Sequence, residues 1–267
     1  MQVDLKAPAK VNLRLSIGEK RPDGYHNIDS IFAAVNIYDK VRIKESTEGP
    51  VVNCPPIEGE NIVESVITVF TEVNGFRPQV EITIDKRIPI GRGLGGGSSD
   101  AAAALIGLYR IFKLDPANIV DLGARIGSDV PFFFFGGIAH VTGRGEMINQ
   151  LPFRNLKILV VSPPFPVSTA WAYGLLDQAG DLEKVRPVPP ESLHVNSYFN
   201  TFERIIFDRY PDLYKIKDWL LEQGASVSQL SGSGSAVFGV FQDRIPEEIP
   251  FENYELFPCR TIEWGVV

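Results

Sequence analysis

The chain has 267 residues, of which 44% are hydrophobic and 22% charged, and its formal net charge is -7. This composition is typical of a globular protein with one large domain or two modest ones, and the negative charge argues against a general binder of nucleic acid or anionic membranes. The N-terminus lacks an apolar signal segment, and the most apolar run, residues 130–141, is too short to span a bilayer. We therefore expect a cytoplasmic enzyme that acts on a small molecule, as a monomer or a weak homodimer.

The cysteines and histidines give no sign of a disulfide framework or a zinc site. Cys54 and Cys259 are far apart, and His26, His140 and His194 lack the paired spacing of metal ligands. We expect no metal site built from protein side chains alone.

The first predicted element is a strand at residues 3–17. Its apolar residues alternate with polar ones, which predicts one buried and one polar face. Lys10 and Asn12 share the polar face. By this pattern alone, a solvated face is the commoner outcome for such residues. The apolar face would consist of Val11, Leu13, Leu15 and Ile17.

A Pro-Asp-Gly turn at residues 22–24 presents Tyr25 and His26 just before a second strand, residues 31–37. Such a pair either caps the core or binds a base, because an aromatic ring can stack on a base while an imidazole reads its hydrogen-bonding edge.

Three more elements are predicted before the most distinctive stretch of the chain. Residues 41–53 contain a further strand signal, and residues 61–73 fit an amphipathic helix. Residues 80–85 alternate between apolar and polar, as expected of a half-exposed antiparallel strand.

A glycine-rich stretch follows, in which five glycines fall within seven residues. Ser98, Ser99 and Asp100 are residue types that cap helices, and they lead into an Ala-rich helix expected at residues 99–112. Free N–H groups and the helix dipole favour an anion at such a helix start. The stretch therefore predicts a flexible phosphate-binding loop, with a plain turn as the alternative. The glycines are Gly91, Gly93, Gly95, Gly96 and Gly97.

Other phosphate-binding loops fit less well. Gly91, Gly93 and Gly96 match the dinucleotide fingerprint, but a half-exposed strand precedes them and no acidic residue closes a second strand about twenty residues later. The P-loop needs a lysine after its last glycine, where Gly97 is followed by two serines. The His-Arg-Asp and Asp-Phe-Gly motifs of protein kinases do not occur in the sequence.

Asp129 stands directly before a strongly apolar stretch, after a predicted helix at residues 117–126. An acid at a core boundary can be tuned by partial burial and by a cationic partner. A cap or turn aspartate fits the pattern equally well. A strand is expected at residues 138–142, followed by a turn at residues 143–145.

The second half begins with an apolar strand at residues 156–161 and a helix capped by Ser168. A proline-rich loop is expected at residues 181–191, and helices at about residues 197–209 and 211–223. A Gly/Ser turn then precedes an alternating strand at residues 236–240. The turn is either a tight hairpin or a second loop that faces phosphates.

The Pro-x-x-x-Gly-Leu-Gly-x-x-Ser-Ser pattern and the following Ala-rich helix resemble the second motif of the GHMP small-molecule kinases. Ala-Pro-Ala-Lys-x-Asn-Leu at residues 7–13 is similar to their first motif, and residues 230–234 are similar to their third. Asp-Gly-Tyr-His at residues 23–26 and Gly-Ser-Asp-Val-Pro at residues 127–131 resemble the branch of this family whose substrate is a cytidine-diphosphate-linked methylerythritol.

The resemblance implies an α+β fold with two domains. Residues 1–155 would form an ATP-binding domain like the second domain of ribosomal protein S5, and residues 156–267 a ferredoxin-like domain. The crevice between them would hold both substrates.

The reaction implied is Mg²⁺-dependent transfer of the ATP γ-phosphoryl group to the 2-hydroxyl of the methylerythritol unit, in non-mevalonate isoprenoid precursor synthesis. Asp129 would accept the hydroxyl proton, and Lys10 would hold Asp129 and the hydroxyl in place and keep the carboxylate ionised. Asn12 would orient that pair.

The resemblance also implies binding residues. Tyr25, His26 and Tyr173 would contact the cytosine. Asn61 and Lys86 would lie near the adenine, and Ser99 is a possible ligand of Mg²⁺. The full set expected to bind ATP is Asn61, Lys86, Pro89, Ile90, Gly91, Arg92, Gly93, Leu94, Gly95, Gly96, Gly97, Ser98 and Ser99.

Two alternatives remain open. A homoserine-type or mevalonate-type kinase of the same family would keep the glycine loop but has no reason to have the Asp-Gly-Tyr-His turn. A non-catalytic ATP-binding module would keep the loop without needing Lys10 together with Asp129.

Overall fold

The computed structural model describes residues 1–55, 61–180 and 198–267. Within these ranges, seven strands form one mixed sheet and four strands form a second, antiparallel sheet. The loop expected at residues 181–191, His194 and the expected helix start at residue 197 lie outside the described residues.

The strands are β1 (Gln2–Lys20), β2 (His26–Glu45), β3 (Val51–Asn53), β4 (Val80–Asp85), β5 (Ile138–Gly143), β6 (Met147–Leu151), β7 (Lys157–Ser162), β8 (Phe199–Asn200), β9 (Val227–Leu230), β10 (Val237–Phe241) and β11 (Glu255–Arg260). The helices are α1 (Ile62–Asn74), α2 (Gly96–Phe112), α3 (Ile119–Ile126), α4 (Phe132–Phe135), α5 (Thr169–Ala179), α6 (Glu203–Arg209) and α7 (Pro211–Glu222).

The first sheet is built on a long antiparallel hairpin of β1 and β2. The far side of β2 pairs with β4 along one stretch and with β5 along another. Helices α1, α2 and α3 cover one face of this sheet, and the Ala-rich α2 is small enough in cross-section to pack closely on β1 and β2. The alternating pattern of β4 correctly predicted a half-buried antiparallel strand.

The alternative in which Lys10 and Asn12 lie on a solvated face of β1 is excluded, because the strand is buried on both sides from Ala7 to Gly18. A β-bulge between Asn12 and Arg14 shifts the register and reverses the alternation. As a result, Val11 and Leu13 pack in a core with the second sheet, whereas the apolar residues beyond the bulge pack in the core under α2. Leu15 and Ile17 are those residues.

The second sheet has the strand order β11-β7-β10-β9, and every pair in it is antiparallel. This is the strand arrangement of a ferredoxin-like fold, so the predicted α+β architecture is confirmed. Helices α5, α6 and α7 lie in the first crossover, between β7 and β9. The second crossover, residues 242–254, contains no helix, which departs from the two-helix ferredoxin pattern.

The second half of the chain pairs with the first sheet at several places. Strand β8, from the second half of the chain, pairs in parallel with β1, and Thr261 forms an isolated bridge with Val35. The last residue, Val267, exchanges two backbone hydrogen bonds with Lys6. A domain division between residues 155 and 156 stays a prediction. None of the helices in the described ranges is long and apolar enough to cross a membrane.

Candidate active site

The centre of the site is a buried lysine on β1. The Lys10 side chain is only 4% exposed, and its Nζ donates to Asn12 Oδ1 at 2.6 Å. The same Nζ lies 3.5 Å from Asp129 Oδ2 and 4.5 Å from the centre of the Phe32 ring. Burial lowers the pKa of Lys10, and the nearby charge of Asp129 opposes that shift.

Asn12 is fixed from three directions. Its Oδ1 accepts from Lys10, its Nδ2 donates to Ser30 Oγ at 3.1 Å, and its backbone oxygen accepts from Gln229 Nε2 at 2.6 Å. Because Gln229 belongs to β9 of the second sheet, this last bond joins both halves of the chain at the proposed reaction centre.

Asp129 lies in the turn between α3 and α4, directly before the apolar residues of α4. Its side chain is 30% exposed, so it is less buried than Lys10 and open to a substrate. The sequence predicted an acid at a core boundary with a cationic partner, and the structure places Lys10 in that position.

The glycine-rich segment, expected to be a flexible loop, is anchored to neighbouring elements, although Gly91 and Gly97 are exposed. Backbone hydrogen bonds join it to β1 (Lys10 N to Leu94 O, 2.9 Å), to the start of β10 (Ala236 N to Arg92 O, 3.2 Å) and to the segment before α5 (Val167 N to Gly91 O, 3.2 Å). The Ser231 hydroxyl also donates to the oxygen of Gly93 at 2.9 Å.

Two glycines in this loop are required by close packing. Gly93 has φ +73°, and a Cβ there would overlap the backbone oxygen of Ser231. Gly95 has φ +71°, and a Cβ there would come within 2.8 Å of the Phe133 ring and 3.0 Å of Lys10 Cγ. The lysine stem therefore lies directly against the start of α2.

Helix α2 begins earlier than predicted. Ser98, Ser99 and Asp100 were expected to cap it, but its first residue is Gly96 and its N-cap is Gly95, which has no side chain to bond the first turn. The first α-helical bond runs from Ser99 N to Gly95 O. The amides of the first turn are thus left without partners within the helix, as a phosphate-binding terminus requires.

Two side chains of the loop are engaged within the protein. Leu94 is buried in the core, and Arg92 donates to the backbone oxygens of Pro163 and Ile90, both at 3.0 Å. An ATP-binding role for these two residues would rest on their backbone atoms. Ile90 is exposed and Pro89 half-buried.

The Lys86 side chain is held in ion pairs, so the expected adenine contact of this residue stays a prediction that would rest on its backbone atoms. Its Nζ donates to Asp39 Oδ2 at 2.5 Å and to Asp100 Oδ2 at 2.7 Å, and the side chain is 5% exposed. Asp39 also accepts from the amides of Arg87 and Ile88. This cluster of Asp39, Lys86 and Asp100 joins the chain entering the glycine loop to the helix leaving it.

Asn61 is the N-cap of α1, as its Oδ1 accepts from Val63 N at 3.0 Å. Its Nδ2 is buried without a hydrogen bond of ordinary geometry among the described residues, and the polar neighbour of the Asn61 side chain is the Cys54 thiol, whose pKa is raised by burial and lowered by the Asn61 interaction. A buried amide donor of this kind is costly unless a ligand satisfies it. This observation supports the expected adenine contact for Asn61.

The residues expected to bind the base form a second cluster. Tyr25 is 49% exposed, and the guanidinium of Arg144 lies 5.0 Å from its ring centre. The His26 ring stacks on Tyr173 of α5 at 5.0 Å and 26°. Burial raises the pKa of Tyr173, and the negative charge of Asp129 raises it further, which places this cluster near the reaction centre.

Two contacts of this cluster were not predicted. Asp177 Oδ1 lies 2.9 Å from His26 Nε2, although the two residues are 151 positions apart, and Arg144 covers Tyr25 from the turn after the neighbouring strand β5. Neither residue stands in a motif, so the sequence held no signal for them.

Proteins of known family are similar to this chain in both sequence and fold. The sequence profile of the GHMP kinases N terminal domain matches residues 61–137, and that of the GHMP kinases C terminal domain matches residues 190–250. A 4-diphosphocytidyl-2-C-methyl-D-erythritol kinase of Thermodesulfovibrio yellowstonii is 36% identical, over 97% of this chain and 96% of that protein.

The chain belongs to the GHMP kinases. It is therefore an ATP-dependent small-molecule kinase. An enzyme of Chlorobium phaeobacteroides with the same name as the first relative is 38% identical over 90% of each chain. The crystal structure of a 4-(cytidine 5'-diphospho)-2C-methyl-D-erythritol kinase matches this GHMP kinase with a TM-score of 0.77 and 32% identity over 90% of each chain. A homoserine kinase from Cytophaga hutchinsonii, at 18% identity and a TM-score of 0.69, shares the fold over all of this chain and 96% of its own.

Proposed function

We propose that this GHMP kinase transfers the γ-phosphoryl group of ATP to the 2-hydroxyl of 4-diphosphocytidyl-2-C-methyl-D-erythritol, a step in non-mevalonate isoprenoid precursor synthesis. The observation that decides for catalysis is the pair of Lys10 and Asp129, 3.5 Å apart, with the lysine stem against the first turn of α2. A module that only bound ATP would not need a buried cation and a carboxylate at that point.

Asp129 is the base in this proposal. An alcohol is a weak nucleophile at neutral pH, so a carboxylate within reach of its proton lowers the barrier to attack. Asp129 can approach a substrate because it is partly exposed, whereas Lys10 and Asn12 behind it are buried. As the proton moves to Asp129, the ammonium of Lys10 stabilises the oxygen that attacks.

Lys10 has a second role toward the transferred group. Phosphoryl transfer depends chiefly on positioning and on stabilising charge on the phosphoryl oxygens. The amides of Gly96, Gly97 and Ser98 in the first turn of α2 hold the phosphates, and Lys10, packed against Gly95, supplies a positive charge beside them. Asn12 keeps the ammonium in place through its 2.6 Å hydrogen bond.

Mg²⁺ is implied by the family, and the residues present fit an ion that arrives with ATP. Among the described residues no group of His, Cys, Asp and Glu side chains is suited to hold a metal. The Ser99 hydroxyl, in the second turn of α2, is buried without a hydrogen-bond partner in the part of the chain that the structure describes, and a hydroxyl oxygen is a suitable ligand for this ion. Ser99 and the ATP phosphates would hold Mg²⁺, which would neutralise phosphate charge.

The substrate's base is assigned to Tyr25, His26 and Tyr173. Tyr25 offers an exposed aromatic face, and His26 and Tyr173 stack beside it. The proximity of Tyr173 to Asp129 supports a single substrate that spans both clusters. All these residues come from one chain, so a monomer supplies a complete site.

Replacing Asp129 by Asn tests the proposal. The amide cannot accept the hydroxyl proton, so we expect kcat to fall by about 10²–10⁴-fold. The dissociation constant for ATP, measured by calorimetry, should stay nearly unchanged because the phosphate loop is intact. The control is Asp121→Asn, which changes an exposed carboxylate of α3 and should leave kcat unaltered. Near-normal kcat in the Asp129 variant would refute the assignment of the base.

A further inference from the structure

His26 is held by two residues of one helix. Tyr173 and Asp177 are four positions apart in α5 and therefore project from the same face. The Tyr173 ring stacks on the imidazole, and Asp177 Oδ1 lies 2.9 Å from His26 Nε2. With both contacts made, the His26 side chain is only 3% exposed.

Asp177 is itself fixed as an anion. Its Oδ2 accepts from Lys20 Nζ at 2.5 Å. The hydrogen bond from Lys20, with a further one from His26, lowers the pKa of Asp177. An ionised carboxylate only accepts hydrogen bonds, so the ring nitrogen that faces it must bear the hydrogen.

The hydrogen on Nε2 determines the chemistry of the other ring nitrogen. In a neutral imidazole only one nitrogen bears a hydrogen, so Nδ1 of His26 is left as an acceptor. No other hydrogen bond of this ring occurs among the described residues. The partner that suits Nδ1 is therefore a hydrogen-bond donor on the ligand.

We infer that Asp177 is a positioning residue that fixes His26 in the Nε2–H form, so that Nδ1 selects a base with an exocyclic amine over one with a carbonyl. This inference rests on the proposed function, in which His26 faces the base. Cytosine presents an N4 amine at the position where uracil presents a carbonyl oxygen. Against Nδ1 the amine makes a hydrogen bond, whereas the carbonyl places two acceptors together and leaves both unpaired.

The surroundings of His26 support a base at this point. Tyr25, its neighbour in sequence, presents a half-exposed ring on which a base can stack, and Arg144 covers that ring from the other side. Stacking fixes the plane of a base but does not distinguish cytosine from uracil, because both have similar faces. Discrimination between cytosine and uracil then depends on the hydrogen bond between His26 Nδ1 and the edge of the base, which Asp177 controls by fixing the hydrogen on Nε2.

The test is Asp177→Asn, compared with the parent protein for binding of CDP and UDP at pH 8, where an ordinary imidazole is neutral. An amide both donates and accepts, so the variant permits either form of His26. We expect the affinity ratio of CDP over UDP to fall about tenfold, the effect of roughly one hydrogen bond. The control is Asp208→Asn, an exposed aspartate of α6, which should leave the ratio unchanged.

A spectroscopic measurement decides the point independently of the variant's folding. Nitrogen-15 NMR of the parent protein at pH 8 should show His26 with a hydrogen on Nε2 and a bare Nδ1. A hydrogen on Nδ1, or an unchanged CDP to UDP ratio in a folded Asp177 variant, would overturn the inference. Failure of the proposed function is a separate result, namely no ATP-dependent phosphorylation of the cytidyl substrate by the parent protein.

Discussion

The two buried lysines near the glycine loop are in opposite electrostatic situations. Lys10 has one partly exposed carboxylate at 3.5 Å, and burial lowers its pKa. Lys86 is also buried, but the charges of Asp100 and Asp39 outweigh burial and raise its pKa. Burial in turn raises the pKa of Asp100 to about 7, against the pull of Lys86. This difference supports the proposal that Lys10 acts on the substrate, and it is consistent with Lys86 as a structural cation.

Replacing Lys86 by Met should destabilise the protein by about 3–5 kcal/mol, because it leaves the buried carboxylates of Asp39 and Asp100 without their cation. Urea unfolding measures this change. Lys44→Met is the control, since it removes a more exposed ion pair with Glu81 on the same sheet and should cost at most about 1 kcal/mol. A weaker affinity for ATP with unchanged stability would contradict this structural role and would instead indicate a direct contact between the Lys86 side chain and the nucleotide.

The sequence predicted that Lys10 and Asp129 lie together, but it predicted few of the partners of the candidate site residues. Lys10 and Asp129 stand in motifs, and the structure brings them together. The partners of Lys86 and His26 could not be predicted, because Asp39 and Asp177 are distant in sequence and have no motif of their own. Pairings of this kind depend on which elements the tertiary fold places side by side.

Among the elements, the glycine loop owes its shape to what surrounds it. Backbone hydrogen bonds to β1, to the start of β10 and to the segment before α5 hold the loop in place. The composition predicted a loop that feeds a helix, which is confirmed, but composition cannot show packing by residues more than 130 positions later. The predicted start of α2 was three residues late because serines commonly cap helices, whereas the N-cap of this helix is a glycine.

Replacing Gly93 by Ala tests the packed loop. The new Cβ would meet the Ser231 backbone at a residue with φ +73°, so the loop must shift. A displacement of about 1 Å at a phosphate site should lower kcat/KM for ATP by about 10²-fold. The control is Gly224→Ala after α7, where φ is +93° but no atom lies within 4 Å of the new Cβ. It adds only the backbone cost of about 1–2 kcal/mol and should leave kcat/KM unchanged. Equal effects of the two changes would argue against a packed loop.

For the whole molecule, the site depends on both sheets. Lys10 lies on β1 of the first sheet, on which α2 packs. Gln229 and Ser231 come from the second half of the chain, where Gln229 donates to Asn12 and Ser231 donates to Gly93. The α+β fold could be predicted because the motifs resemble those of a family whose fold is known. They could not predict that β8 joins the first sheet or that the last residue returns to β1, since these contacts follow from long-range packing.

The most direct test of this account is ADP release in the presence of Mg-ATP, with 4-diphosphocytidyl-2-C-methyl-D-erythritol, mevalonate and homoserine offered separately. We expect release with the cytidyl substrate alone, because Tyr25, His26 and Tyr173 would recognise its base while Asp129 and Lys10 act on its hydroxyl. Release only with mevalonate or homoserine would contradict the assignment of the base site. No release with any of the three, together with measurable ATP binding, would contradict catalysis itself.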